Sequence, residues 1–222
     1  MKERLVLFGD SAFAEIAYEY FTHDSTYEVV AFTVNKEYLK NESLFGLPIV
    51  AFETVEQTYP PADYTMHVAL VYNHLNRVRM RIYNEAKAKG YKLANYVSSR
   101  AFIWQNVTMG DNIFIFEDNT IQPFVKMGSN IILWSGNHIG HHSVIENNNF
   151  VSSHVVISGF CKVGESCFFG VNATLGNNVN VGRDSFIGAG ALVTKSVQVG
   201  SYVKGSQSEP DTKSTYTKFR IE

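Results

Sequence analysis

The sequence has little excess charge, no long hydrophobic run and little cysteine, and each absence excludes a class of protein. Its 222 residues carry a formal net charge of −2, so the basic excess typical of nucleic-acid-binding proteins is missing. No apolar run approaches the roughly 20 residues of a membrane span. The start, MKERLVLFGD, has a short apolar run followed by an acid, unlike a signal peptide. We expect a cytoplasmic protein that binds neither nucleic acid nor a membrane.

A period of six residues dominates the second half of the chain. In steps of six from Val97 to Val199, all eighteen positions are apolar, and the side chain two places earlier is often small. Glycines recur every eighteen residues from Gly110 to Gly200, with Glu146 as the interruption. Periods this short are typical of solenoids. Three sixes per coil predict a three-walled prism whose corners are tight turns suited to glycine or asparagine at positive φ; a right-handed β-helix or a propeller would have longer, less regular coils.

The two cysteines, Cys161 and Cys167, lie six residues apart in the small inward register of this pattern. They should therefore sit on different walls of one coil, which disfavours a disulfide. We expect buried free thiols, as in a reducing compartment.

The first 95 residues predict a small, mostly parallel α/β sheet. The predicted strands cover residues 4–9, 28–34, 47–52 and 67–72, and the predicted helices cover residues 12–21 and 75–89. Such sheets offer ligands the carboxyl ends of their strands. The loop from Gly9 to Ala14 precedes the first helix, where a phosphate could bind. It has one glycine and an acid, so nucleotide binding and a simple strand-to-helix turn both remain open.

The hexad pattern resembles the hexapeptide-repeat acyltransferases. The α/β segment followed directly by a prism is similar to sugar O- and N-acetyltransferases related to sialic acid O-acetyltransferase and bacillosamine N-acetyltransferase. The resemblance implies a Rossmann-like domain over residues 1–95 that binds a nucleotide-linked sugar. It also implies a left-handed parallel β-helix over residues 96–200 that binds acetyl-CoA, a tail over residues 201–222, and a homotrimer with its sites between neighbouring prisms.

The acceptor motifs of that family are matched in part. Its first loop, Gly-Ala-Gly/Ser-Gly-His-Gly, keeps two residues here, and Tyr72 replaces the glycine of its Ile-Gly-Asn-Asn motif. Residues 33–35 lack the carboxylate that often follows the second strand in the family. The positions that match, and that the resemblance implies in acceptor binding, are Gly9, Ser11, Asn73 and Arg77.

Four of the seven histidines fall within seventeen residues of the hexad region, namely His138, His141, His142 and His154. Transfer of an acetyl group from a thioester to an amine or hydroxyl requires removal of a proton from the acceptor. Imidazole suits that task near neutral pH, and direct attack needs no nucleophilic cysteine. A backbone N–H of a coil could stabilise the developing oxyanion.

The resemblance assigns roles within this cluster. The family motif Ile-x-His-x-x-Val-Ile matches residues 139–145, which makes His141 the implied general base. His142 stands where an orienting glutamate is often found, and His154 is a candidate substitute for a second family histidine that falls at Phe150. The positions that the resemblance implies in coenzyme A binding are Gly159, Val171 and Ala189.

These patterns predict an acetyl-CoA-dependent transferase that acts on an amino or hydroxyl group of a nucleotide-linked sugar in surface-glycan precursor synthesis, with no metal. Two alternatives remain open. A γ-carbonic-anhydrase-like metalloenzyme would place three histidines on zinc across a subunit boundary, and a non-catalytic β-helix scaffold would bind no coenzyme A. We also expect Trp134 and Phe124 to pack between subunits, and the tail from Ser201 to cover the open last coil.

Overall fold

The structure is a computed structural model that describes residues 2–221. Its α/β part contains one five-stranded sheet of order β3-β4-β2-β1-β5. These strands are β1 Glu3–Phe8, β2 Tyr27–Val34, β3 Ser43–Leu44, β4 Leu47–Ala51 and β5 Thr65–Val68. β1 pairs in parallel with β2 and β5, and only β3 is antiparallel to its neighbour. The last four residues of β1 are buried, as expected for the central strand of a parallel sheet covered on both faces.

Helices flank this sheet. They are α1 Ala12–His23, α2 Val55–Thr58 and α3 Arg77–Ala88, with 3₁₀ turns at Lys36–Tyr38 and Phe52–Thr54. Gly90 follows α3 at a φ of 91°, which confirms its predicted place just after the helix. The strand predicted at residues 67–72 is wrong in its bounds. The strand β5 spans Thr65–Val68 instead. After it the chain leaves the sheet as a loop that contains three successive residues at positive φ, 74–76.

Residues 96–203 form a three-walled parallel β-helix of two-residue strands. The first wall contains β6 Tyr96–Val97, β9 Phe114–Ile115, β12 Ile132–Leu133, β15 Phe150–Val151, β18 Phe168–Phe169, β21 Phe186–Ile187 and β23 Tyr202–Val203. The second wall contains β7 Phe102–Ile103, β10 Thr120–Ile121, β13 His138–Ile139, β16 Val156–Ile157, β19 Thr174–Leu175 and β22 Leu192–Val193. The third wall contains β8 Thr108–Met109, β11 Lys126–Met127, β14 Val144–Ile145, β17 Lys162–Val163 and β20 Asn180–Val181.

The register between coils is uniform over most of the prism. Thr120 pairs with His138, which in turn pairs with Val156, so each coil takes eighteen residues. The second residue of each strand points inward, and these residues form one continuous buried core. The predicted hexad core is therefore confirmed, and the rungs are consistent with a left-handed β-helix. Val199 is an exception, because it is 61% exposed; the chain instead brings Val197 beside Val181.

From residue 112 to residue 190, each corner contains a residue at positive φ, six residues after the previous one. They are Asn112, Asp118, Phe124, Asn130, Gly136, His142, Asn148, His154, Phe160, Ser166, Asn172, Asn178, Asp184 and Gly190. The glycines of the eighteen-residue grid serve another purpose, since Gly128 and Gly164 are absent from this set. A Cβ on Gly164 would lie 2.5 Å from the backbone nitrogen of Arg183, and Gly128 and Gly182 are similarly close to the next coil, so these glycines allow successive coils to approach closely. Gly200 differs, because it has a φ of 71° and open space beside it.

Both cysteines are free and buried, as predicted. The Cys161 Sγ lies 3.1 Å from the Gly176 carbonyl oxygen. Burial raises the pKa of the Cys167 thiol to about 11. Neither thiol is therefore placed to act as a nucleophile at neutral pH.

The α/β part packs on the outer face of the first wall. Phe13 of α1 contacts Phe114 with ring centroids 5.5 Å apart. Trp134 stacks on Phe116 at 4.5 Å and also contacts Phe13. Trp134 therefore packs in part against α1 of its own chain, and its expected contact with a neighbouring subunit stays a prediction.

The tail behaves only partly as expected. β23 pairs with β21 and extends the first wall by one strand, and the Ser206 N–H donates to the Ala189 carbonyl at 3.1 Å. Residues 207–221, which include the helix α4 Thr215–Phe219, are exposed and leave the other two walls uncovered. Among the described residues, no helix is long and apolar enough to cross a membrane.

Candidate functional site

Three edges run along the prism. His141, His142 and His154 lie on two of them, whereas His138 lies in β13 on the second wall. We call the edge between the second and third walls the aromatic edge, after Phe124, His142 and Phe160 at its corners. We call the edge between the third and first walls the asparagine edge, after Asn112, Asn130 and Asn148 at its corners. The edge between the first and second walls is the third edge.

His141 is exposed on the aromatic edge and held from two sides. Its backbone N–H donates to Gln122 Oε1 at 2.9 Å, and its Nδ1 lies 3.1 Å from Nδ1 of His142. Because a hydrogen bond between two Nδ1 atoms needs one donor and one acceptor, the pair shares a single proton at this contact. The remaining nitrogen of His141, Nε2, is left free for chemistry.

The two imidazoles are fixed by aromatic neighbours. The His142 ring stacks between Phe124 at 4.6 Å and Phe160 at 4.8 Å. Phe160 also meets the His141 ring edge-on at 5.0 Å. The stack holds the His142 ring in the plane that presents Nδ1 to His141, so His142 has the geometry of an orienting group.

Gly159 lies directly against the His141 ring. A Cβ built on Gly159 would be 2.9 Å from both Cε1 and Nε2 of His141, so any side chain there would displace the imidazole. The Gly159 N–H donates to Asn177 Oδ1 at 3.0 Å. Of the three residues expected to bind coenzyme A, this one lies beside the candidate base.

His154 lies away from His141 and His142. It follows His142 by twelve residues, which is two walls of the prism, so it stands on the third edge at a φ of 58°. Its ring lies over Gly136 in the neighbouring coil. The other two expected coenzyme positions, Val171 and Ala189, follow on this same edge. Within one chain, the residues expected to bind coenzyme A therefore lie on two different edges.

Three of the four residues expected to bind the acceptor line a separate cavity of about 350 Å³ at the carboxyl ends of β1 and β2. Gly9, Ser11 and Asn73 line it together with Asn35 and Arg81. Gly9 has a φ of 125°, and a Cβ there would lie 2.9 Å from the Ala69 carbonyl oxygen, so the position requires glycine. Ser11 precedes α1 without capping it, which leaves the N–H groups of the first turn available to an anion.

Arg77 does not line this cavity. Its Nη2 lies 2.5 Å from Asp184 Oδ1 at the prism surface. A second recess of about 470 Å³ adjoins the cavity through Asn73 and His74, and Tyr72, Leu75, Phe168 and Phe186 complete its lining. Tyr72 packs against Phe168 with ring centroids 4.7 Å apart.

A buried polar network beside the acceptor loop was not predicted from the sequence. Arg79 of α3 is fully buried and donates to carbonyl and amide oxygens on the asparagine edge. The available signal was the recurrence of Asn112, Asn130 and Asn148 at a spacing of eighteen. Asparagine suits corners anywhere, so the spacing alone did not separate a buried ladder from ordinary turns.

Among the residues that the structure describes, no group of three or more His, Cys, Asp or Glu side chains is placed to hold a metal ion. A family model for bacterial transferase hexapeptide (six repeats) matches residues 160–195. It confirms the hexapeptide repeats in this part of the prism.

Solved structures with this fold include the acetyltransferase domain of PglB from Neisseria gonorrhoeae. That domain is 22% identical, with a TM-score of 0.83, 94% of this chain covered and 100% of that chain; it has also been solved with acetyl coenzyme A. PerB from Caulobacter crescentus, in complex with CoA and GDP-perosamine, is 20% identical with a TM-score of 0.70 and coverages of 90% and 93%. WeeI from Acinetobacter baumannii is 20% identical with a TM-score of 0.68 and coverages of 90% and 96%. These likenesses confirm the resemblance in fold.

Proposed function

We propose that this hexapeptide-repeat chain, which shares the fold of the PglB acetyltransferase domain, transfers an acetyl group from acetyl-CoA to an amino group of a nucleotide-linked sugar. The observation that carries the proposal is the His141–His142 pair, fixed on the aromatic edge beside Gly159. The similar structures include an acetyl-CoA complex and a complex with CoA and GDP-perosamine. They favour the transferase over the carbonic-anhydrase and scaffold alternatives, and nitrogen over oxygen as the acceptor atom.

The chemistry follows from the free nitrogen of His141. The acceptor amine attacks the thioester carbonyl, a C–N bond forms, and the C–S bond breaks. Nε2 of His141 takes the proton that the amine loses, while Nδ1 of His141 donates to His142 and so keeps Nε2 unprotonated beforehand. The departing thiolate takes a proton and leaves as CoA, and the product is an N-acetylated sugar.

The placement of the acceptor cavity implies that two copies form each site. The cavity and the recess lie at the first wall, whose outer face carries the α/β part. The aromatic edge lies between the other two walls, and in a three-walled prism that edge is opposite the first wall. We therefore propose that His141 of one copy acts on the sugar held by another, in a homotrimer.

A homotrimer would also bring together the two groups of residues expected to bind coenzyme A. Gly159 lies on the aromatic edge, and Val171 and Ala189 lie on the third edge. We propose that coenzyme A lies between two prisms and contacts Gly159 of one copy and Val171 and Ala189 of the next. The exposed Val171 side chain, 47% accessible in the isolated chain, would then pack against the cofactor.

We also propose the finer assignments that the resemblance implies. Residues 1–95 act as a Rossmann-like acceptor domain in which Gly9, Ser11 and Asn73 hold the nucleotide-linked sugar. Arg77, which the resemblance places with them, instead supports the loop of residues 69–76 through its ion pair with Asp184. Residues 96–200 act as a left-handed β-helix, and residues 201–222 as a tail. The free thiols and the use of acetyl-CoA favour a cytoplasmic location.

The proposal is tested by incubating the purified chain with acetyl-CoA and a panel of UDP-, GDP- and dTDP-linked amino sugars and reading acetylated products by mass spectrometry. We expect one class of amino sugar to be acetylated and its hydroxyl analogue to be left unmodified. Absence of product across the panel, with no binding of acetyl-CoA by calorimetry, would contradict the proposal.

The role of the acceptor loop is tested with Asn73→Ala. We expect the KM for the sugar to rise about tenfold, the loss of one or two hydrogen bonds, while the KM for acetyl-CoA stays within about twofold. Asn84→Ala, on the exposed face of α3 and outside the cavity lining, is the matched control. An equal rise in both KM values would remove Asn73 from acceptor binding.

A further inference from the structure

Arg79 is a fully buried cation without an acidic partner among the described residues. Its side chain is 0% exposed, and its contacts are all neutral oxygens. Nε donates to Asn130 Oδ1 at 3.2 Å, Nη1 donates to the Val71 carbonyl at 3.3 Å, and Nη2 donates to the carbonyls of Asn130, Asn148 and Asn149 at 3.0–3.3 Å. Burial lowers the pKa of the guanidinium to about 9, and it remains charged at neutral pH.

A buried guanidinium without an acidic partner is energetically unfavourable, so its presence requires an explanation. Removing a charge from water costs several kcal/mol, and a hydrophobic side chain of similar volume often gives equal or greater stability. A guanidinium with five directed donors does, however, fix the relative position of everything it touches. The question is therefore which parts of the molecule Arg79 holds together.

The oxygens on the prism side are themselves rigid. Asn112 Nδ2 donates to Asn130 Oδ1, and Asn130 Nδ2 donates to Asn148 Oδ1, each at 2.8 Å. Asn112 Oδ1 in turn accepts from the Val68 N–H at the end of β5 at 2.8 Å. Arg79 thus binds the middle and the far end of a buried ladder that crosses three coils and whose near end, Asn112, reaches the sheet.

On the other side Arg79 holds the loop of residues 69–76, which carries Asn73. The loop is conformationally unusual, because His74, Leu75 and Asn76 have φ values of 50°, 51° and 67°, and such residues persist only where their surroundings determine them. Asn76 Nδ2 donates to the Cys167 carbonyl at 3.1 Å. The loop is therefore positioned by the coils of the prism more than by its own sheet.

We propose that Arg79 is a positioning residue for acetyl transfer, which fixes the acceptor loop in register with the coils of the β-helix through the asparagine edge. This inference rests on the proposed function. The sugar held at Asn73 must meet an imidazole of a neighbouring prism. The loop-to-coil register therefore sets the distance between the amine and the thioester, where a displacement of about 1 Å can cost about 100-fold in rate.

The test compares Arg79→Lys and Arg79→Met with Val163→Ala, a core variant on the third wall that lowers stability without touching the loop. Steady-state kinetics with the amino sugar found active for the wild type is combined with hydrogen exchange of residues 69–78. We expect Arg79→Met to raise the sugar KM or lower kcat by about tenfold or more, with the KM for acetyl-CoA within about twofold. Arg79→Lys should be intermediate, and the loop amides should exchange faster in both.

Several results would overturn the inference. The first is a folded Arg79→Met protein whose sugar kinetics and loop exchange match those of Val163→Ala when the two variants have lost the same amount of melting temperature. The second is a failure of both Arg79 variants to fold, which would make Arg79 a folding residue. A wild-type protein that acetylates nothing would contradict the proposed function instead. The exchange comparison would then still decide whether Arg79 fixes the loop.

Discussion

Two edges of the same prism share one backbone geometry and carry opposite chemistry. On the asparagine edge, Asn112, Asn130 and Asn148 are at most 7% exposed and join into a hydrogen-bonded ladder. On the aromatic edge, Phe124 and Phe160 are each 53% exposed and enclose His142 in a stack. Every one of these residues has a positive φ.

The difference in residue type points to different roles for the two edges. Asparagine tolerates the left-handed region at little cost, whereas phenylalanine does not, and its strain is of order 1–2 kcal/mol. Strain accepted at exposed positions indicates a use other than stability. We infer that the asparagine edge holds the two parts of the chain together and that the aromatic edge positions the catalytic imidazoles. The predictions below separate these roles, from the largest expected effect to the smallest.

His141→Ala should remove chemistry from the aromatic edge without unfolding it. We expect turnover to fall by roughly 10²–10⁴-fold, the usual contribution of a positioned base. The free energy of unfolding should stay within about 0.5 kcal/mol, as for most surface substitutions. Steady-state kinetics and urea unfolding measure the two quantities. A larger loss of turnover in His154→Ala than in His141→Ala would move the base to the third edge.

Asn130→Leu, on the asparagine edge, should mainly lower stability. It leaves Arg79 Nε and the neighbouring amides without partners, and we expect the free energy of unfolding to fall by about 2–4 kcal/mol. Asn172→Leu, at an exposed corner with the same φ of 58°, is the matched control, because it adds the same left-handed strain of about 1–2 kcal/mol without removing a buried hydrogen bond. Equal losses would show that burial of the ladder carries no special weight.

The free energy of unfolding should also fall at acid pH, because of a buried histidine beside this network. His67 of β5 is fully buried, its Nδ1 donates to the Ala94 carbonyl at 2.9 Å, and its Nε2 has no partner among the described residues. Burial, with a smaller contribution from the Arg79 charge, lowers the pKa of His67 to about 4. The unfolded chain, with a histidine pKa near 6.5, therefore binds more protons between about pH 6.5 and 4.

The sign of the effect follows directly. Stability falls as the pH drops through that window, by up to about 3 kcal/mol at and below pH 4. His67→Gln should flatten this part of the curve, measured by urea unfolding from pH 4.5 to 7.5. An unchanged slope in the variant would assign the acid sensitivity to other groups.

The smallest effect concerns the aromatic stack itself. Phe160→Asn relieves left-handed backbone strain, which stabilises the fold, and removes ring stacking, which destabilises it. Each contribution is of order 1 kcal/mol, so the free energy of unfolding should change by less than about 1 kcal/mol. Turnover should fall by about five- to tenfold, because His141 and His142 both lose a neighbour. Phe124→Asn touches His142 alone and should cost less. A greater loss in Phe124→Asn would show that the stack does not act through His141.

The prism was predictable from sequence because its core repeats. Each inward residue sits in nearly the same environment, so the hexad alone indicates the walls, and Ile139 and Ile145 lie where it puts them. The corners were less predictable. Phe124 and Phe160 violate the preference for glycine or asparagine, since their positions were determined by neighbours in adjacent coils that a linear pattern does not reveal.

The site was predictable in part for the same reason. His141 and His142 are adjacent in sequence and remain so in space. His154 shares the hexad phase of His142 but lies on another edge, because phase within six residues does not specify which of three corners is occupied. Arg79 was not found, since a basic residue on a helix is usually solvated and only tertiary packing buries this one.

The uniform spacing of the coils also constrains how such a gene can change in length. Thr120, His138 and Val156 stay aligned only while each turn keeps eighteen residues. Losing a single codon near the middle would tilt every later rung out of line, whereas gaining or losing a whole turn near the carboxyl terminus would leave the imidazoles where they are. The constraint relaxes in the last coil, where Phe186 pairs with Tyr202 after sixteen residues and the wall is still extended. Homologues should therefore differ by entire turns within the prism and by smaller changes only at its carboxyl end.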